Sequence, residues 1–545
     1  MTNANGDVVS YAYDLYGNKT SMTYPDGRTV RYTYDSMNRM TSVTGLDGEV
    51  TTYAYDAAGR RVETASRNLT TEYRYDVVGS LVEQSTTGSS NISFRYSYNM
   101  NGYITGEIRT ENGSAVESLY TYDPLGELTG FAQSTGYGEQ YVYDKVGNMT
   151  AKTITGTDGQ SVALKMTYNK GNQLVSMTNG KDKLTYGYDK NGSMVQKTLT
   201  SKQYGKLADT YAYNSLDQLV SYAGYDGYQQ RFTYDANGMR LSKSEYGNSN
   251  RSTLEELLRG DIAGLPEVIQ PAEDVPEGYE WATTEYLYDI TQEYYQVIGQ
   301  TTTCGNTTTT TAYAYGLERI AAYSPATTTE YIYDGRGSVA QTIFAPVAGA
   351  SVSAALPDVQ VQSYAYTAFG EQMGAKVSGF GYNAEDFDAA TGMINLRARQ
   401  YEIVLSRFFQ PDSHIAIATQ QSRLNRYAFV TDNPINYVDP NGLKEESNRI
   451  YSIDELPEIE NMLEESNNPS NIGIDFDRMK GVTETYILHE MENSELMDYQ
   501  ESKDEGSVDA FWADFKPKTG LDQDDLVIVM ICHIILFIGL RQMRY

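Results

Sequence analysis

Two short motifs in the last third of the chain each carry an aspartate in a setting that suits peptide-bond chemistry. RFFQPD ends at Asp412, and NYVDPNGL contains Asp439. Two carboxylates that meet in a pocket of low dielectric constant cannot both ionise easily, so they share a proton. The ionised carboxylate can then activate water while the protonated one polarises a carbonyl group. If the fold brings the two aspartates together, these residue types suit an acid–base pair of the aspartyl kind.

Arg407 is the third candidate of this group. It precedes Asp412 by five residues, and a guanidinium can hold a carboxylate through two parallel hydrogen bonds. We expect Arg407 to orient Asp412 and to lower the pKa of its carboxyl group. A simpler interpretation of the second motif stays open. Asp-Pro-Asn-Gly is also an ordinary turn sequence, in which Asp caps the turn and Asn-Gly supplies positive φ.

A tandem repeat indicates the elements that must position these residues. The pattern Tyr-x-Tyr-Asp/Asn, usually followed by Gly, recurs through the first half, for example as YAYDLYG at 11–17 and YAYDAAG at 53–59. Its acid or amide recurs every 20 to 25 residues, at positions 14, 35, 56, 76, 99, 123, 144, 169, 189, 214 and 235. The two rings of Tyr-x-Tyr point to one face of a strand, and Asp with Gly suits a turn. Each repeat therefore predicts one β-hairpin that must stack on its neighbours.

Composition supports an all-β fold and excludes several function classes. The chain has 49 Tyr and 47 Gly, which favour strands and turns respectively. With 42 basic and 72 acidic residues, the net charge of −30 argues against a nucleic-acid-binding shell. Two cysteines are too few for a disulfide scaffold. Three histidines make a multi-histidine metal site improbable. We predict no metal and no cofactor.

Several blocks of the sequence resemble a known bacterial family. The Tyr-Asp repeats, with YLYDITQEYYQVIGQ at 286–300 and YIYDGRGSVAQTI at 331–343, are similar to Rhs/YD-repeat proteins. The blocks at 382–415 and at 425–443, the latter reading NRYAFVTDNPINYVDPNGL, resemble the Rhs-associated core. Related β-shells occur in the C component of insecticidal Tc toxin complexes and in animal teneurins. The resemblance covers residues 7–443, about four-fifths of the chain.

The resemblance implies both a fold and an activity. Members of this family are all-β: stacked β-hairpins spiral into a hollow shell, which the core block closes. The shell holds a variable C-terminal domain, commonly a toxin, and the core cleaves the chain after its final Leu. Carried over to this sequence, the catalytic residues are Asp412, Asp439 and Arg407, and the bond cleaved is Leu443–Lys444. The chain departs from the family pattern within 397–408, where Glu402, Ile403 and Ser406 replace the usual Asp-Pro and Gly.

The same comparison suggests four domains. We expect a YD-repeat shell at 1–245, degenerate repeats that continue the shell at 246–380, the Rhs-associated core at 381–443, and a C-terminal payload at 444–545. The payload should be a small α/β or mainly helical domain. It holds 23 acidic and 9 basic residues, a balance that fits a nuclease poorly. Its apolar segment, 526–540, is shorter than the roughly 20 residues that a membrane-spanning helix needs.

Two functions follow from these features. The first is an Rhs-type polymorphic toxin carrier, secreted or at the cell surface, with an immunity protein and export machinery as its partners. The alternative is a cell-surface adhesion or carbohydrate-binding YD protein that binds glycans and has no toxic payload. Met1 leads almost directly into a repeat, without a signal peptide or a capping unit. We therefore expect that the N-terminal targeting region is missing.

Overall fold

Consecutive hairpins form most of the protein, as the repeats predict. The computed structural model describes residues 6–269, 279–292, 294–347, 360–413, 425–443 and 446–447. The predicted payload therefore lies outside the described residues, apart from Glu446 and Ser447, and so does Lys444. Within the described residues, 29 strands form one sheet. Each strand pairs antiparallel with the strands before and after it in the sequence, so the all-β YD-repeat shell is confirmed.

The first half of the sheet runs through the regular repeats. Its strands are β1 Ser10–Tyr13, β2 Lys19–Thr23, β3 Thr29–Tyr34, β4 Met40–Thr44, β5 Val50–Tyr55, β6 Arg61–Ser66, β7 Leu69–Tyr75, β8 Leu81–Gly88, β9 Ile92–Tyr98, β10 Ile104–Glu111, β11 Ser114–Tyr122, β12 Leu128–Gln133, β13 Gly138–Tyr143, β14 Met149–Thr155 and β15 Ser161–Tyr168.

The second half continues the same sheet past the regular repeats. Its strands are β16 Leu174–Thr178, β17 Lys183–Tyr188, β18 Met194–Ser201, β19 Gly205–Tyr213, β20 Leu219–Ala223, β21 Gln229–Tyr234, β22 Arg240–Tyr246, β23 Ala282–Asp289, β24 Gln296–Cys304, β25 Thr307–Tyr315, β26 Arg319–Tyr323, β27 Thr327–Tyr333, β28 Val339–Pro346 and β29 Gln360–Ser363.

Each repeat builds its turn in the predicted way. In the β3–β4 hairpin, Asp35 Oδ1 accepts hydrogen bonds from the main-chain N–H groups of Met37 and Arg39, at 2.9 and 3.0 Å. In the β5–β6 hairpin the turn glycine, Gly59, has φ +81°. The strand register shifts by one residue at the second tyrosine of the motif, for example between Ala54 and Tyr55. The acid and the glycine therefore shape the turn, as expected.

The two tyrosines of each motif have different roles on the same face of the sheet. The first is buried in the core; Tyr32, for instance, is 5% exposed. The second donates its hydroxyl to the carbonyl oxygen at the start of the preceding strand. Tyr34, Tyr55 and Tyr75 reach the first residues of β2, β4 and β6 at 2.9, 2.7 and 2.8 Å. This bond ties each turn to the one before it, and it satisfies a phenol that would be costly to bury unpaired.

Late strands of the sheet pack against early ones. Side chains of β1–β5 and β24–β26 form one hydrophobic cluster, and polar contacts join residues 239 to 270 positions apart. Lys19 Nζ lies 2.5 Å from Asp289 Oδ2, and Arg61 Nη2 lies 2.7 Å from Glu318 Oε1. The sheet therefore curves back on itself as a spiral.

A short insertion between β22 and β23 carries the one α-helix of the described residues, α1 Leu254–Arg259. Thr253 caps it, and Glu256 completes a capping box by accepting from the Thr253 N–H at 2.8 Å. All six helical residues are buried, so the helix forms part of the protein interior.

The core block forms smaller elements that pack on the sheet. A five-stranded sheet contains β30 Gly379–Phe380, β31 Asp386–Asp388, β32 Met393–Leu396, β33 Arg399–Glu402 and β34 Arg407–Phe408. Two 3-10 helices, Tyr382–Ala384 and Val430–Asp432, accompany it. A two-stranded ladder joins β35 Tyr437–Val438 to β36 Glu446–Ser447.

Candidate active site

The turn that contains Asp439 lies against the tip of the β32–β33 hairpin. Three successive residues at that tip, 397–399, each donate a hydrogen bond to one of three successive carbonyl groups at 440–442. The bonds run from Arg397 Nη1 to the Pro440 oxygen, from the Ala398 N–H to the Asn441 oxygen at 3.2 Å, and from Arg399 Nε to the Gly442 oxygen. The turn is thus fixed by its backbone to the core hairpin.

Arg399 brings the two predicted carboxylates together. Its Nη2 atom lies 3.1 Å from Asp412 Oδ2 and 3.4 Å from Asp439 Oδ2. Arg399 and Asp439 are each 5% exposed. Burial lowers the pKa of the Arg399 guanidinium below its ordinary value, but an arginine remains a cation at that level. One buried cation therefore contacts both predicted carboxylates.

Asp439 also contacts the residue that precedes the predicted cleavage point. Its Oδ1 atom accepts the main-chain N–H of Leu443 at 3.0 Å, and Asn441 Oδ1 accepts the same N–H at 2.9 Å. Gly442 has φ +75°. Asp-Pro-Asn-Gly is therefore a turn, as the simpler interpretation expected, and this turn also carries a carboxylate beside the Leu443 backbone.

Arg407 does not hold Asp412, so this part of the prediction needs correction. Its Nη2 donates to the Asn172 carbonyl at 2.7 Å, and its guanidinium lies 5.0 Å and 5.1 Å from the ring centres of Tyr168 and Tyr427. The register of the β33–β34 hairpin gives the reason, since Arg407 pairs with Glu402. Continuing that register places Arg399 beside residue 410, close to Asp412. Arg407 instead contacts the shell wall.

Sequence reasoning missed Arg397 and Arg399. Both stand in the LRAR stretch at 396–399, inside the block that carries the family resemblance. The presence of two arginines within three residues of that block was a usable signal, because guanidinium groups bind carboxylate oxygens. The five-residue spacing of Arg407 from Asp412 was the weaker clue.

The family comparison agrees with the repeats and the fold. A family model for the teneurin YD-shell matches residues 97–252. A model for the RHS repeat matches residues 1–29 and 17–50. The chain contains RHS/YD repeats. No curated protein sequence matches it.

Solved structures match this chain at low sequence identity and low TM-score. A crystal structure of TcdB2-TccC3-TEV is 13% identical over 81% of this chain and 30% of its own, with a TM-score of 0.38. The Photorhabdus luminescens Tc holotoxin pore is 14% identical over 83% of this chain and 30% of its own, with a TM-score of 0.27. A porin-like protein from Bacteroides uniformis is 12% identical over 33% of this chain and 88% of its own, with a TM-score of 0.20. The Rhs/YD-repeat protein thus spans about a third of the length of the Tc chains that it matches.

Two further observations concern the described residues only. No helix among them has the length and apolar character needed to cross a membrane. Within the same residues, no group of three or more His, Cys, Asp or Glu side chains has a metal-binding arrangement.

Proposed function

We propose that this Rhs/YD-repeat protein is a toxin carrier, secreted or at the cell surface, whose core cleaves the chain between Leu443 and Lys444. The observation that carries the proposal is the shared position of Asp412 and Asp439 on one nitrogen of Arg399, beside the Leu443 backbone. Two acids, a buried cation and a fixed backbone turn are the parts that acid–base hydrolysis of a peptide bond needs.

The reaction proposed for this site is a hydrolysis within one chain. One carboxylate takes a proton from water as the water oxygen attacks the Leu443 carbonyl carbon. The other, protonated, donates a hydrogen bond to the carbonyl oxygen, where negative charge develops. The Leu443–Lys444 bond then breaks, and a proton passes to the Lys444 nitrogen. The products are a carboxylate at 443 and an amine at 444.

Arg399 acts as a positioning residue in this scheme. Its guanidinium keeps both carboxylates at one point, and its bond to the Gly442 carbonyl fixes the turn in register with them. Holding reacting groups in place can contribute several kcal/mol to a rate. The hydrogen bond from Leu443 to Asp439 ties the residue before the scissile bond to the same acid.

In this proposal, the cleavage releases the C-terminal segment inside the shell. The segment beyond Leu443 carries 23 acidic and 9 basic residues, a composition unlike that of the tyrosine-rich wall. A wall of stacked hairpins can enclose such a segment while the core separates it from the chain. The payload would then be retained by enclosure instead of by a covalent bond.

Intact-mass measurement of freshly folded full-length protein tests both parts of the proposal. We expect two masses, residues 1–443 and 444–545, that elute together from a sizing column because the fragment stays enclosed. Asp412→Asn and Asp439→Asn should each stop cleavage without unfolding the sheet. Asp76→Asn is the matched control, since other repeats carry Asn at this turn position, and it should cleave normally.

A pair of arginine variants separates the two candidate orienting residues. Arg399→Lys should slow cleavage strongly, because an ammonium group lacks the planar donor set that reaches two carboxylates and a carbonyl. Arg407→Lys should have the smaller effect. A single intact 545-residue mass, or cleavage that survives both Asp→Asn changes, would refute the protease assignment. Fragments that separate on the sizing column would refute enclosure.

A further inference from the structure

A cavity lies between the late strands of the main sheet and the five-stranded core sheet. Its volume is about 250 Å³. Tyr286, Tyr288 and Tyr294 form part of its wall, and Arg240, Arg319 and Arg397 line it as well. Three guanidinium groups line this one cavity, although the whole chain has a net charge of −30.

Arg319 is buried without a carboxylate partner among the described residues. It is 5% exposed, and its Nε and Nη2 atoms both donate to the Tyr315 hydroxyl, at 3.0 and 2.8 Å. The Ala384 carbonyl accepts from Nη1 at 3.4 Å. The Phe380 ring lies 3.3 Å from the guanidinium carbon. All of these partners are neutral, so within the described residues no carboxylate forms a hydrogen bond or ion pair with Arg319.

Arg240, which also lines the cavity, is buried in a similar environment. It is 6% exposed, and its Nη2 donates to Gln400 Oε1 at 3.2 Å. Its Nε has no hydrogen-bond partner within the described part of the chain. The Phe232 ring centre lies 4.4 Å from the guanidinium carbon. A buried N–H of a charged group without an acceptor is costly, which indicates that an acceptor is missing from the cavity.

The acidic groups of the cavity wall do not supply that acceptor. Glu385 lies 2.8 Å from Arg397, and Glu318 lies 2.7 Å from Arg61, so both are already paired. Burial raises the pKa of Asp386, with Lys243, Arg240 and Arg319 opposing the shift. The two glutamates of the wall are therefore paired with other arginines and not with Arg240 or Arg319.

The mouth of the cavity already receives one carboxylate. Glu446, on β36, accepts a hydrogen bond from the Tyr294 hydroxyl, and Tyr294 lines the cavity.

We propose that this cavity is a binding site for a small oxyanion, a carboxylate or a phosphate, held between Arg240 and Arg319. Planar guanidinium groups match the paired oxygens of both ligand types. The bound anion would provide the acceptor that Arg240 Nε lacks and the negative charge that Arg319 lacks. The two anion-binding arginines differ from the residues proposed for cleavage, although Arg397 and Pro440 line the cavity and also belong to the hairpin and turn beside Asp439.

Titration of the full-length protein with inorganic phosphate, and separately with acetate, tests the site. Calorimetry at constant ionic strength should show saturable binding of at least one of the two, and comparison of the two titrations identifies the preferred oxyanion. Arg240→Gln and Arg319→Gln should each weaken that binding about tenfold or more, the loss typical of a hydrogen bond to a charged group. Arg74→Gln is the matched control, because Arg74 is exposed and pairs with Glu83, and it should bind like the parent.

Two further variants keep the result interpretable. If Arg319→Gln fails to fold, Arg240→Gln carries the test, since Arg240 Nε has no bond to lose. Asp439→Asn should bind phosphate or acetate like the parent, which separates this site from the cleavage site. Absence of saturable binding of both ions to the parent, or parent-like binding by Arg240→Gln, would overturn the proposal.

Discussion

Replacing Gly442 by alanine should slow the proposed cleavage by about 100-fold or more. A Cβ atom built at this position would lie 2.3 Å from the Leu396 carbonyl oxygen and 3.1 Å from the Arg399 nitrogen. Both atoms belong to the backbone and cannot rotate away. Since non-bonded atoms prefer separations near 3.5 Å, the turn must retreat from the core hairpin by roughly 1 Å. A displacement of that size near reacting groups typically costs about two orders of magnitude in rate.

Strain and collision make separate contributions to this effect. Gly442 has φ +75°, a conformation that costs an L-residue about 1–2 kcal/mol. Gly374 has φ +84° and nothing within 4 Å of the built Cβ, so Gly374→Ala carries the strain without the collision. The fraction of uncleaved chain, followed by intact mass after refolding, is the assay. Parent-like cleavage by Gly442→Ala, or equal slowing in Gly374→Ala, would contradict the reasoning.

Two more predictions concern stability. Ser406→Gly should raise the free energy of unfolding by about 1 kcal/mol, because Ser406 has φ +57° and a buried hydroxyl without a partner among the described residues. Urea unfolding measures the change. Ser36→Gly, at an exposed turn, is the control and should give no such gain. Glu402→Gln should remove a loss of stability at rising pH. Burial raises the pKa of Glu402 to about 8, so its contribution is full below the ordinary glutamate pKa and disappears as pH rises through 8. With Gln, Lys197 pairs with Glu255 alone; urea midpoints at pH 5, 7 and 9 check this, and an unchanged pH slope in the variant would contradict it.

The strands were predictable because their signals are local. In YTYDSMN at 32–38, the two rings, the acid and the turn lie within seven residues, and each affects backbone geometry that it touches directly. The capped helix α1 is of the same kind, since Thr253 and Glu256 satisfy each other across one turn. Patterns of this length determine hairpins and caps without reference to the rest of the chain.

Contacts between distant segments were not predictable from the same patterns. Lys19 pairs with Asp289, 270 residues later, and nothing in either repeat indicates its partner. The choice of arginine at the candidate site failed for a related reason. Distance along the chain favoured Arg407. In an antiparallel hairpin, however, the start of the first strand lies beside the end of the second. The register of the β33–β34 hairpin therefore brings Arg399 close to Asp412.

The tyrosine hydroxyl bonds have a consequence for the order in which the protein folds. Most of them reach back only 14 to 19 residues, so each new hairpin can be secured as soon as it leaves the ribosome. The core makes much longer connections, since Asn425 and Asn436 bond residues 278 and 332 positions earlier. Long closures are slower than local ones, so the core should seat last. The proposed cleavage would then report the end of assembly, because the payload is separated from the chain only after the core has completed the shell.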